Sequence, residues 1–399
     1  MRDHVSLKSM GRGSRVAPLV VLVLLLSAAL VAGCGSSDSS TGSEGSSGGG
    51  GGGAEANVAH AEEMIAEHTP IQKFKPPGPA FDASKAAGKT VMVLPVSSNV
   101  PFNVLTGKAM EEALKPLGVN VTTYTNQGQP SQWQQGMSTA ISSKVDAIAA
   151  IGFDPQSVAP QIKEAKEAGI PFVEDHFLDA EHPNPAGYED VAARIPAPYI
   201  EAGKLSAAWA IAETKGDANA VLVTSKDLLS AGDVLRGIEE EFEADCPDCE
   251  YTVVNVPFND WASKMQTAVQ SALTQNPDAN YVIPVFDGMV QFAAPAVTSA
   301  GAGSRVKIAS YNATPSVLGM MQEGEIISMD SGESYDWLGW GLADQMLRVM
   351  TGTKPVASEN IPLRVFEKEN VAEAGEPPAV NKGYGNAYEA GYEKLWGGK

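Results

Sequence analysis

The chain has 399 residues, a formal charge of −20 from 28 Lys plus Arg against 48 Asp plus Glu, and 43% hydrophobic residues. That length is about two to three ordinary domains with enough apolar side chain to bury real cores, which excludes collagen-like and fully disordered classes. The acidity speaks against a nucleic-acid partner, whose phosphates need Lys/Arg patches, and 3 Cys in so long a chain exclude a disulfide-built scaffold.

Arg2, Lys8, Arg12 and Arg15 make a basic opening, and an apolar run follows from Val16 to about Ala32. A charged region, a short apolar region and small residues at the end are the parts of a secretory signal. A run this long is also close to what a membrane-spanning anchor needs. The stretch Leu30-Val31-Ala32-Gly33-Cys34 decides between them. It resembles the lipobox of bacterial lipoproteins, which implies cleavage before Cys34, lipidation of Cys34 and a body anchored outside the cytoplasm. Gly35 to Gly53 holds 9 Gly and 7 Ser among 19 residues, the composition of a flexible tether with a reach of about 25 Å.

A short helix is expected from Val58 to about His68, followed by an extended stretch through Pro70, Pro76, Pro77 and Pro79. From Lys89 a rhythm begins. Apolar, β-branched runs start near Val91, Val119, Val145 and Pro171, with helical spacing between them (Phe102, Leu105, Ala109, Ala113; Val158, Ile162, Ala165, Ala168). The rhythm breaks among the prolines between Phe177 and Tyr199. It resumes with strand starts near Ala220, Tyr251, Tyr281, Val306 and Ile326. Strand–helix alternation of this length implies parallel sheets covered by helices. The fold class is α/β: two Rossmann-like lobes with parallel sheets, joined by a hinge, with a ligand cleft between them at the strand ends. Asp154, Asp175 and Asp287 end apolar strands; each is a cleft candidate or a capping carboxylate.

The run from Ile162 to Val173, ending Ala168-Gly169-Ile170-Pro171-Phe172-Val173, is similar to the "aGIPvv" signature of the class I periplasmic sugar-binding proteins. These are the ribose- and galactose-binding relatives that serve ABC importers. Val96-Ser97-Ser98 with Pro101-Phe102, Arg236-Gly237, Asp260-Trp261, Phe286-Asp287-Gly288-Met289 and Ser310 to Pro315 extend the resemblance, in order, from about Lys89 to about Gly352. Regulators of the lactose-repressor type share the fold but begin with a DNA-binding helix-turn-helix; here the signal and tether stand in that place.

The resemblance implies a site. Phe102 and Trp261 match the aromatics that sandwich a ligand ring. Asp175 matches a strand-end carboxylate, His176 stands where an Arg is common, and Arg236 matches a pocket Arg. Phe286 replaces an Asn, Asn312 replaces an Asp, and Glu333 replaces a Gln. Sugar pockets work by polar side chains satisfied in a dry cleft, so a small sugar is the expected ligand. Phe286 and His176 leave open a less polar, aromatic or cationic molecule meeting Asp175 and Glu333. Trp337 is a further cleft candidate, or a core residue. The implied partners are a small-molecule ligand, an ABC permease and the membrane through the lipid, with no nucleic acid, for a monomeric protein; a sensory module presenting ligand to a receptor is the alternative. Expected boundaries are a signal over 1–33, a tether over 34–56 and an N-terminal extension over 57–87. The first lobe comprises 88–196 with 334–357, and the second 197–333 with 358–399.

No nucleophile–base pair, metal-ligand spacing or phosphate loop is visible, so no enzyme, cofactor or metal is expected. Cys246-Pro247-Asp248-Cys249 follows a helical run, the wrong end of a helix for a low-pKa redox dithiol. Without nearby His it makes a poor zinc site. In an exported body a Cys246–Cys249 disulfide is expected, contributing about 2 kcal/mol by loop closure. In the tail, a strand-like Ile361 to Phe366 and a packed helix carrying Tyr384, Tyr388, Tyr392 and Trp396 are expected.

Overall fold

The computed structural model describes residues 56–185 and 188–397. The expected signal segment, Cys34 and the tether before Ala56 lie outside the described residues. Among the described residues no helix is long and apolar enough to cross a membrane.

The extension opens on helix α1 (Val58–His68). The first lobe follows as β1 (Thr90–Pro95), α2 (Pro101–Leu114), β2 (Asn120–Thr123), α3 (Pro130–Ser142), β3 (Ala147–Ile151), α4 (Ala159–Glu167), β4 (Phe172–Asp179) and β5 (Ala193–Ala197). The second lobe runs α5 (Tyr199–Thr214), β6 (Asn219–Thr224), α6 (Leu229–Asp245), β7 (Glu250–Asn255), α7 (Trp261–Gln275), β8 (Tyr281–Pro284), α8 (Val290–Ser299), β9 (Lys307–Tyr311), α9 (Pro315–Glu323) and β10 (Ile327–Gly332). Then come α10 (Tyr335–Thr351), β11 (Arg364–Glu367) and α11 (Ala387–Leu395).

Two sheets result, ordered β2-β1-β3-β4-β5 and β11-β10-β9-β8-β6-β7. Every pairing is parallel except β10 with β11. Successive strand residues point to opposite faces. In β1 this sends Val91 and Val93 into a core closed by α2 and α10, while Met92 and Leu94 enter a second core with Met137, Ile148, Phe153 and Phe172. Both faces are therefore apolar, as a parallel sheet under two helix layers requires.

β5 lies where the sequence rhythm breaks. Its Pro196 cannot donate to a ladder, and β5 occupies the sheet edge, where no donor is needed. β11 pairs with β10, but the assignment of everything after 358 to the second lobe needs correction. Tyr388, Tyr392, Leu395 and Trp396 of the tail are buried in the first-lobe core with Trp337, Leu342 and Met346. Trp396 Nε1–H donates to Asp344 Oδ1 at 2.7 Å and its ring stacks on Trp340 at 5.5 Å. Large aromatic areas bury best where facing aromatics exist, and α10 supplies them. Tyr384 stays with the second lobe, against Phe366.

The extension touches both lobes. Ala61 of α1 is buried in the second-lobe core, and Phe74 packs edge-on against Tyr392 at 4.9 Å in the first. The chain passes between lobes through Pro198, through Glu333–Ser334 and between α10 and β11, and the extension and the tail each cross once more.

Candidate functional site

Between the lobes, at the strand ends, lies a cavity of about 340 Å³. The first lobe contributes Phe102, Asn103, Gly152 and His176, the second Tyr199, Phe286, Tyr311 and Asn312, and the hinge Glu333 and Tyr335. Among the described residues no Lys or Arg lines it.

Phe102 is placed by the start of α2, where Pro101 takes the first helical position. Gly152, at φ +77, lets the β3 end turn away beside Asn103; a Cβ there would come within 2.8 Å of Asn103 Nδ2. Asn103 is held by donating to the Ile151 carbonyl at 3.2 Å.

His176 is the sharpest feature. β4 breaks register between Asp175 and Asp179, and His176 adopts φ +61. The kink is braced by buried Glu174, which accepts from the Phe177 N–H at 2.7 Å and from Arg194 Nε at 3.2 Å. Burial raises the Glu174 pKa to about 7 against the opposing pull of Arg194. The kink turns the imidazole toward the cleft, with ring centroids 4.8 Å from Phe102 and 5.6 Å from Tyr199. Burial lowers the His176 pKa, opposed by Glu333, so the ring is neutral at pH 7. Its Nε2 lies 3.3 Å from Glu333 Oε1.

Glu333 stands at the second lobe crossing, 5% exposed. The Tyr311 hydroxyl donates to its Oε1 at 2.8 Å. Tyr311 and His176 both lie against Oε1. Burial raises the Tyr199, Tyr311 and Tyr335 pKa values, so their hydroxyls remain protonated donors. Tyr335 meets Phe102 edge-on at 5.1 Å, and Tyr199 meets Phe286 at 6.2 Å. Asn312 is set by its unusual φ of +135 at the end of β9.

Phe102, His176, Phe286, Asn312 and Glu333 are thus brought to one cavity. The other expected contacts are elsewhere. Asp175 is fully buried behind His176 with neither oxygen partnered; burial, then the charges of Glu174 and Glu333, raise its pKa well above the carboxylate range. Asp154 caps the turn at Pro155, accepting from the Gln156 N–H at 2.9 Å. Arg236 faces acids on the surface, 3.3 Å from Glu181 and 3.4 Å from Glu240. Trp261 leans on Phe258 and donates to Ser225 Oγ at 2.7 Å, outside the cavity lining. Trp337 is core. Cys246 and Cys249 are joined at an S–S distance of 2.02 Å.

Sequence reading missed Asn103, Tyr199, Tyr311 and Tyr335 as lining residues. Tyr199 and Tyr335 are each the first residue of a helix directly after a lobe crossing. An aromatic there reads as core until the crossing is located.

Two lobes and an aromatic cavity between them, with a carboxylate at a crossing, define a cleft-type binding protein. The chain belongs to the periplasmic binding protein family: the model described as "Periplasmic binding protein domain" matches residues 90–354. A D-ribose/D-allose-binding protein of Pseudomonas aeruginosa is 24% identical over 196 residues, 47% of this chain and 58% of that protein. The match therefore spans little more than half the length of that curated relative. Among solved structures, a periplasmic ribose ABC transporter protein from Conexibacter woesei aligns with a TM-score of 0.64 at 19% identity, covering 76% of this chain and 97% of that one. A solute-binding protein of Actinobacillus succinogenes with bound D-allose aligns with a TM-score of 0.61 at 18% identity, covering 71% and 99%. These likenesses bear out the two-lobed α/β fold, and the relatives are solute-binding proteins.

Proposed function

We propose that the chain is the extracytoplasmic solute-binding component of an ABC importer, lipid-anchored through Cys34, which takes one small sugar-like molecule between its lobes and hands it to a membrane permease. It performs no chemistry on the ligand. The observation that carries this reading is the interlobe cavity with Glu333 at the hinge: groups from both lobes meet there, so a ligand that touches both favours the closed form.

Phe102, His176, Phe286, Asn312 and Glu333 are the proposed contacts. Phe102, Tyr199 and Phe286 offer apolar faces to the C–H face of a ring. Glu333 Oε2, Asn312 and the tyrosine hydroxyls offer polar partners to its substituents. The lack of any Lys or Arg in the lining argues against an anionic ligand. It also supports a second reading, in which the ring is less polar than a sugar or carries a positive charge that meets Glu333.

A thermal-melt panel of monosaccharides, polyols, nucleosides, aromatic amines and sugar acids tests both. At least one neutral or cationic compound is expected to raise the melting temperature, and the sugar acids none. Silence across the panel at millimolar ligand, or a response to acids alone, would contradict the proposal.

A further inference from the structure

Where α1 packs on α6 of the second lobe, His60, Glu241 and Asp245 come together with donor atoms that all lie within 4.8 Å of one another. Glu241 and Asp245 are four residues apart and share one face of α6. His60, the third residue of α1, reaches across with Nδ1 2.5 Å from Asp245 Oδ2. The two carboxylates are 4% and 6% exposed, and Glu241 Oε1 is buried with no hydrogen-bond partner. Two carboxylates this close and this dry repel each other, and His60, paired with Asp245, offsets only part of their charge. Stitching continues beside them: the Asn57 N–H donates to the Asp245 carbonyl at 2.7 Å.

We propose that His60, Glu241 and Asp245 form a binding site for a divalent transition cation of zinc type, which clamps the start of the N-terminal extension to the second lobe. One imidazole nitrogen and two carboxylate oxygens suit such an ion, with water completing a fourth position. Donor separations of about 3 to 3.5 Å follow from zinc–ligand bonds of about 2.0–2.1 Å, and the half-exposed His60 can move to reach them while α6 holds both carboxylates. A hard cation such as Mg²⁺ would prefer more oxygen donors. The site would fix α1, the element that follows the tether, against the body, and so restrict how the body hangs from its anchor. It is independent of the ligand cleft.

Calorimetric titration of Zn²⁺ into the purified full-length protein, freed of metal with chelator, tests this. One saturable site of micromolar or better affinity is expected, with a rise of a few degrees in melting temperature. His60→Ala and Glu241→Gln should each weaken Zn²⁺ at least about tenfold, with Mg²⁺ and Ca²⁺ producing no comparable shift. Glu241→Gln keeps the helix shape, so it reports on binding even where His60→Ala loosens α1. No saturable binding, wild-type affinity in both variants, or a preference for Mg²⁺ or Ca²⁺ would overturn the proposal.

Discussion

At His176 the chain accepts a left-handed conformation (φ +61) that costs an ordinary side chain about 1–3 kcal/mol, and the kink aims a neutral imidazole at Glu333. Both lobes carry buried acids with raised pKa values. Glu174 is pushed to about 7 and Asp287 to about 6, and Asp175 and Asp330 well above the carboxylate range, all mainly by burial. Asp330 lies beside Asp287, with the Ala313 backbone as its further partner, so one proton shared by the two acids satisfies the pair. The sign follows directly. These groups ionise near 4 in the unfolded chain, so the stability they contribute is complete below that and is lost as pH rises through 6 to 7. His176, depressed by burial, works the other way as pH falls below its ordinary value. We predict that the melting temperature falls between pH 5 and pH 8, and that Asp330→Asn, which keeps a donor toward Asp287, makes the fall shallower. A melting temperature that rises over that range, or an unchanged slope in the variant, would contradict the assignment. Residue identity exposed part of this in the sequence: His176, Phe286 and Glu333 stood out as substitutions in a familiar pattern. The Asp287–Asp330 pairing joins strand ends 43 positions apart and left no local signal.

Among the elements, the α5–α6 crossing gives the Arg236-Gly237 piece a different meaning from the one its resemblance suggested. A Cβ on Gly237 would fall 2.1 Å from the Ile200 carbonyl oxygen, and one on Gly203 equally close to the Val234 carbonyl. The two glycines let the helices touch backbone to backbone, while Arg236 pairs with surface acids. Gly237→Ala should therefore destabilise by about 1–3 kcal/mol through overpacking, read as a lower denaturation midpoint. Wild-type stability in the variant would show that the helices separate freely. Strands were the most legible elements, because apolar β-branched runs at intervals of 26 to 28 residues have few other uses in a chain of this kind. The edge strand Ala193–Ala197 escaped because its prolines mask the pattern. The tail helix was legible as a helix, but its aromatic face fits either lobe on composition alone; only the partner surface of Trp337, Trp340 and Phe74 decides.

On the scale of the whole molecule, the extension and the tail cross between units that the strand rhythm treats as separate. α1 rides on the second lobe while Phe74 and Phe81 lie against the first, and Phe81 N–H donates to the Leu395 carbonyl at 2.8 Å. The extension and the tail thus tie the two lobes together. Glu333 lines both the interlobe cavity and a second cavity of about 600 Å³, and under the proposed function it is the residue that would couple bound ligand to lobe position. The most direct test is calorimetric titration of a compound that stabilises the protein into wild type and into Glu333→Gln. A buried hydrogen bond to a charged group contributes about 1.5–3 kcal/mol, so the variant should bind roughly ten- to a hundredfold more weakly with one-to-one stoichiometry preserved. Undiminished affinity in Glu333→Gln would place the ligand outside the interlobe cavity and contradict the proposal.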